Sequence, residues 1–315
     1  MDKVDFVPAL ERQADNLRVT VDVVARALDS ADLPPWREDE TVAVIAMGAS
    51  SHSGQALVAA LALEGLRATN VTASDLALAA PGFQPGDHYV VVSESGRSPE
   101  PITAARSFTP GRRIGITNDP EAPLSEVVDA ILPLGGWADS RVYTSGFTGT
   151  LLAYAALIRH QRPTSAVSDP ATIPDLVAAA LVDHAEAADR AALLLEKVHA
   201  VDLVARGVSL AAAAEGALVV REGARVHAGA YDTYQYIHGP MEPLGPGSGL
   251  VVLGDDRELP MVDMVLDRGV KVVLLTQAPR QDVARPTTRT CWWCRCGRIC
   301  PASPAPSSRR SSCRC

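Results

Sequence analysis

The chain has 315 residues, 47% of them hydrophobic, and a net charge of −8. That length and apolar content allow one large or two medium globular units, and the acidic balance, with no basic run before the last thirty residues, excludes a nucleic-acid surface as its main business. No apolar run approaches the roughly eighteen residues of a membrane span, and no charged leader precedes an apolar stretch, so we expect a cytoplasmic protein with no membrane partner, working on a small molecule.

Phe6, Leu10, Leu17, Val21, Val24 and Leu28 recur at roughly helical spacing and predict an amphipathic helix over residues 5–29, ended by Pro34-Pro35. Residues 41–47 read as a strand, Gly48-Ala49-Ser50-Ser51-His52-Ser53-Gly54 as a small-residue turn, and 55–64 as a helix. Short apolar segments near 69–72, 87–93, 113–117 and 127–132 then alternate with helical stretches. Such alternation predicts a parallel sheet covered on both faces, with ligands bound beyond the carboxyl ends of its strands.

Within this unit, Tyr89-Val-Val-Val-Ser93-Glu94-Ser95-Gly96-Arg97-Ser98-Pro99-Glu100 reads as a strand, a tight polar turn and a helix start. The turn aims backbone N–H groups and three hydroxyls at one point, toward which the positive end of the helix dipole also points, and a phosphate fits there. An ordinary βα loop with Ser98 capping the helix fits the same residues. Ser50 sits at a second predicted strand end, so the two turns can share one ligand. Thr144-Ser145 opens a long apolar helix running to about residue 158, and its hydroxyls either join the site or simply cap the helix.

Residues 162–174, with three prolines, read as a linker. Beyond a helix predicted over 175–199, the pattern restarts. Val201 to Ser209 echoes Val42 to Ser50, and Gly249 to Gly254 followed by 270–276 echoes 87–93 and 113–117, at an offset of roughly 160 residues, the mark of a duplicated α/β unit. Where the first copy has its serines the second has Gly254-Asp255-Asp256-Arg257-Glu258, whose carboxylates repel a phosphate, so only the first copy should bind one. We therefore expect an N-terminal helical segment (1–40), a first α/β domain (41–162), a linker and helix (163–200), a second domain (201–285) and an aberrant tail (286–315).

The second copy holds Glu215-Gly-Ala-Leu-Val-Val-Arg-Glu222, with the two carboxylates seven residues apart on one predicted helix face. Next comes an aromatic and polar stretch, 230–240, without clear periodicity, which puts His238 on a loop stiffened by Gly239-Pro240. A carboxylate and a histidine near a phosphate site can serve as an acid–base pair; a surface ion pair of Glu222 with Arg221 or Arg225 and a structural His238 fit equally.

Taken together and in this order, the Gly48 to Ser50 turn, Ser93-x-Ser95-Gly96-x-Ser98, Thr144-Ser145 with Phe147-Thr148, Glu215-Gly-Ala-Leu to Glu222, and His238-Gly-Pro resemble the sugar isomerase (SIS) family in its double-domain form, the form found in the isomerase half of glucosamine-6-phosphate synthases. The resemblance covers roughly residues 5–280. It implies two tandem three-layer αβα lobes with mostly parallel, flavodoxin- or Rossmann-like sheets. It implies a phosphosugar site of Ser50, Ser93, Glu94, Ser95, Ser98, Thr144 and Ser145, proton transfer between C1 and C2 by Glu222, and ring opening by His238 reaching in from a second subunit, hence a homodimer. No cofactor and no metal is implied. The expected function is isomerisation of a 6-phosphosugar of the fructose or glucosamine 6-phosphate type, with ammonia-dependent amination or deamination as a variant; the alternative is a non-catalytic sugar-phosphate-binding regulator.

The departures are specific. Val219 stands where the synthases carry a lysine, Arg97 where they carry an acid, and Glu94 where they carry glutamine. A Schiff-base step then has no obvious amine donor. The chain opens Met1-Asp2-Lys3 without a glutaminase domain, so glutamine is not expected as its nitrogen source. All six cysteines fall between Cys291 and Cys315. Their spacing fits no common zinc site, and we read residues 286–315 as a shifted reading frame, because regrouping the codons of Cys291-Trp-Trp-Cys294 gives Leu-Val-Val, the closing strand the fold expects.

Overall fold

The computed structural model describes residues 3–279 and the backbone of a strand at 291–295. The predicted N-terminal helix is two helices, α1 (Phe6–Glu11) and α2 (Gln13–Ser30), which meet at Arg12. They precede β1 (Thr41–Ala46), α3 (Gly48–Leu63), β2 (Arg67–Thr72), β3 (His88–Val92), α4 (Pro99–Ser107), β4 (Arg113–Thr117), β5 (Ala130–Pro133) and α5 (Ser145–Gln161). Helix α3 starts at Gly48, not near residue 55. Serine and glycine are weak helix formers, but Gly54 sits where nothing larger fits: a Cβ there would collide with Asn70 and Val44.

The first sheet runs β2-β1-β3-β4-β5, all parallel, with Val42 opposite both Ala68 and His88. Alternation along the strands divides the core. Val42, Val44, Val90 and Val92 pack with Leu57 and Leu157 on one face, and Ala43, Ile45, Tyr89 and Val91 with Ile102 and Phe108 on the other.

The second half opens with α6 (Ile173–Asp183) and α7 (Ala185–Leu195), one predicted helix interrupted at His184. There follow β6 (Ala200–Ala205), α8 (Ser209–Val219), β7 (His227–Asp232), the short α9 (Thr233–Tyr236), β8 (Ser248–Leu253), α10 (Glu258–Leu266), β9 (Lys271–Thr276) and β10 (Cys291–Arg295). Their sheet runs β7-β6-β8-β9-β10, again all parallel. Strand for strand this is the order of the first sheet, so the duplication read in the sequence is a duplication of topology. Residues 230–232, read as loop, complete edge strand β7. Cys291–Arg295 pairs with β9, Cys291 opposite Val272, in the place expected for a closing strand; the remaining tail, and with it the shifted-frame and zinc readings, lies outside the described residues. Among the described residues no helix is long and apolar enough to cross a membrane.

Candidate active site

In the first lobe a cavity opens at the carboxyl ends of β1 and β3, the edges that such a sheet offers to ligands. Ala49, Ser50 and Ser53 of α3, Glu94 after β3, and Tyr143 and Gly146 at the start of α5 line it. Gly48, at φ 52°, lets the chain leave β1 and enter α3 in one step.

The serine turn folds on itself. Buried Ser93 donates to the Ser98 hydroxyl (3.2 Å), and the Arg97 N–H donates to Ser95 Oγ (3.3 Å). Gly96 holds φ 65°, its N–H donates to the Ser93 carbonyl, and its own carbonyl accepts from Leu124. Ser98 precedes α4 without making a side-chain cap, which leaves its hydroxyl in the turn. Arg97 points away to Asp119 (2.8 Å).

Glu94 is buried. Asn118 donates to its Oε1 (3.1 Å), while Asn118 Oδ1 accepts from the Gly136 N–H (2.8 Å). Burial raises the Glu94 carboxyl above its ordinary pKa, against the opposing pull of the Lys3 charge and of hydrogen bonds from Asn118 and Tyr143. Burial first, then the charges of Glu94, Asp139 and Glu222, push the Tyr143 hydroxyl far above its usual range. The Lys3 ammonium stands 4.5 Å above the centre of the Tyr143 ring, and the adjoining Val4 N–H is anchored on the Asp139 carbonyl.

Thr144 and Ser145 are committed inside the protein. The buried Asp139 carboxylate accepts from the Thr144 hydroxyl (2.7 Å) and from the backbone N–H groups of Ser140 and Thr144, and its Oδ2 takes that of Gly146 (2.8 Å). Ser145 is fully buried and accepts from Asn16 (2.9 Å). The positive end of α5 is thus neutralised by a side chain five residues before Thr144, not by Thr144 itself. Nothing in the local sequence marked Asp139, because its spacing is not that of a cap.

The second lobe packs its α8 on α3, the helix that carries Ser50 and Ser53. Glu215 is buried and pairs with His52 Nδ1 (3.2 Å). Beyond Val219 the helix widens into a π-helical turn, Val220–Ala224, that ends at Arg225 in the left-handed conformation (φ 60°). Such turns are rare and concentrate at functional sites. This one interrupts the regular helix on which Glu215 and Glu222 were expected to share a face. Glu222 is solvent-exposed, and its charge is felt at Tyr143 on the cavity wall.

His238 lies elsewhere. It is exposed, in the turn after α9, at the carboxyl end of β7, whereas Glu222 precedes the amino end of the same strand. The six-residue strand, about 17 Å long, runs between the two segments. The second lobe's counterpart of the serine turn is filled by its own acids: Glu258, buried, accepts from Thr233 and from the Asp256 N–H, and Asp255 accepts from Thr276 (2.6 Å).

Fold and site together define a tandem-lobed α/β protein with a cavity at the strand ends of the first lobe and, in the second, a turn filled by its own acids. The SIS domain family matches residues 194–291 of the chain. It is 27% identical over 253 residues to the glutamine–fructose-6-phosphate aminotransferase (isomerizing) of Pyrobaculum aerophilum, a match that covers 75% of this chain and 39% of that protein. The chain thus spans about two fifths of the length of the curated relatives it matches. Its fold is similar to the C-terminal domain of glucosamine-fructose-6-phosphate aminotransferase from Francisella tularensis (TM-score 0.76, 16% identity, 92% of this chain and 88% of that one). It is also similar to tagatose-6-phosphate ketose/aldose isomerase from Escherichia coli (TM-score 0.69, 16% identity, 94% and 85% covered), and to glucosamine-6-phosphate deaminase from Thermotoga maritima (TM-score 0.69, 17% identity, 91% and 88% covered).

Proposed function

We propose that the protein is a cytoplasmic phosphosugar isomerase acting on a 6-phosphosugar. Ser50, Ser93, Ser95 and Ser98 hold the phosphate, with the buried Glu94 as the cavity's floor. Glu222 carries a proton between C1 and C2, and hydrogen bonds at the surrounding helix and strand ends stabilise the enediolate. His238 of a second copy opens the sugar ring, so the working unit is a homodimer. The observation that carries this reading is the first-lobe cavity lined by Ser50, Ser53 and Glu94, together with the packing of α8, the helix that leads to Glu222, on the α3 that bears Ser50. The position of Glu222 before β7 and of His238 after it supports a role for a second copy. Amination or deamination with free ammonia is the finer form of the reading, supported by the reactions that name the relatives.

A second reading, a sugar-phosphate sensor without turnover, is favoured by Val219, which leaves the helix that bears Glu222 without an amine. One experiment separates them: exchange of the C2 proton of glucosamine 6-phosphate, or of a C1 proton of fructose 6-phosphate, in deuterated water. Exchange that disappears in Glu222→Gln while calorimetric binding persists supports the isomerase. Binding without exchange in the wild type overturns it in favour of the sensor.

A further inference from the structure

We infer that His52 and Glu215 form a joint that sets Glu222 against the phosphate turn. This rests on the isomerase reading and adds to it a pair of positioning residues. His52 belongs to the first turns of α3, between Ser50 and Ser53, which line the cavity. Its ring does not belong to that wall; it turns to the other lobe, where Nδ1 lies 3.2 Å from Glu215 Oε2. The Glu215 side chain is 8% exposed and that of His52 22% exposed. A carboxylate so deeply buried must be hydrogen-bonded, because an unmatched charge there costs several kcal/mol. The pair therefore fixes where α8 crosses α3.

The position of the joint gives it leverage. Glu222 follows Glu215 by seven residues, about 10 Å along a helix axis. Between them the chain passes into the π turn at Val220, and it stops at the left-handed Arg225. Neither Arg221 nor Glu222 is buried; the segment is held at its ends by Val220 and Val226, which pack on the apolar cluster of β6 and α8, and by Arg221 donating to the Ala228 carbonyl (2.7 Å). The His52 contact is the nearest buried polar anchor upstream. Because that anchor and Ser50 share one helical turn, the group that holds phosphate and the group that holds the base move as one body. A base displaced by about 1 Å costs up to a hundredfold in rate while leaving ground-state binding intact.

The test uses the full chain and compares Glu215→Leu, His52→Ala and Glu215→Gln, the last of which keeps an acceptor oxygen for His52. Two readouts are taken: the kcat and KM of fructose 6-phosphate proton exchange, and amide hydrogen exchange across residues 218–226. We expect Glu215→Leu and His52→Ala to lower kcat by about tenfold or more with KM changed less than about twofold. Amide exchange over 218–226 should speed up by a similar factor, and Glu215→Gln should recover most of both losses. Equal falls in 1/KM and kcat, or unchanged amide exchange at 218–226 in Glu215→Leu, would overturn the joint. If the wild type exchanges no sugar proton, the isomerase reading fails by itself, and the amide measurement still decides whether His52 and Glu215 hold this segment.

Discussion

Replacing Gly96 by alanine tests the serine turn at its tightest point. Gly96 holds φ 65°, a conformation that costs an L-residue roughly 1–2 kcal/mol. A Cβ built there would stand 2.5 Å from Ala122 Cβ and 2.8 Å from Thr117 Oγ1. Neither neighbour can swing aside: Ala122 has no rotamer to change, and Thr117 Oγ1 is held by the Glu94 carbonyl (3.1 Å). Overpacking of this kind costs about 1–3 kcal/mol, so the two terms give roughly 2–5 kcal/mol in all. Gly65 supplies the control, because it has φ 77° with nothing within 4 Å of an added Cβ. Gly65→Ala should show the conformational cost alone, about 1–2 kcal/mol. Urea unfolding of both variants, with calorimetric binding of fructose 6-phosphate, reads the difference. Gly96→Ala should be the less stable and should lose binding, since the turn opens toward the cavity to relieve the contact. Equal stability of the two variants would refute the packing argument, and full binding by Gly96→Ala would refute the assignment of the turn.

Other expectations follow from single contacts. Asp139→Ala strips α5 of the acceptor for its first N–H groups and for the Thr144 hydroxyl; it should cost about 2–4 kcal/mol in urea unfolding, as removal of a buried acceptor with several donors does. Arg225→Gly should stabilise by about 1 kcal/mol, because the position is left-handed, and a loss of stability would mean that the arginine side chain outweighs its backbone. The Arg112 guanidinium, then His88, holds the Glu40 carboxyl at about 2, below its ordinary 4.5. A carboxyl with a depressed folded-state pKa stabilises the fold above its unfolded pKa and loses that contribution as pH falls through the folded one. Thermal stability should therefore drop between about pH 4.5 and 2, with a shallower drop in Glu40→Gln; parallel pH curves for the two proteins would count against the pairing.

Strand and helix alternation, the strand ends and the duplication were legible in the sequence, because burial on both faces of a parallel sheet demands continuous apolar runs such as 42–46, 89–92 and 272–275. Such runs depend on near neighbours only, and so does the serine turn, whose Gly96 and Pro99 set its path locally. The helical identity of 48–54 was not legible, because Ser and Gly favour turns when read alone, and the close approach of Asn70 and Val44 to Gly54 is a tertiary contact. Nor was the break at His184, or the strand at 230–232 hidden behind aromatic residues that read as loop. The capture of Thr144 by Asp139 depends on the path of the loop between β5 and α5, which no spacing rule encodes.

By itself the sequence determined a duplicated parallel α/β chain with an anion-type turn in one copy and acids in the other. Only the tertiary structure decided which side chains meet. It joined His52 to Glu215 across 163 positions, set Glu222 on a π turn after α8, and ran β7 between Glu222 and His238. The physical reason is that periodicity records which face of an element is buried, whereas a site depends on where separate elements cross. That crossing is set by the packing of α3 on α8 and is carried by no single stretch of the chain.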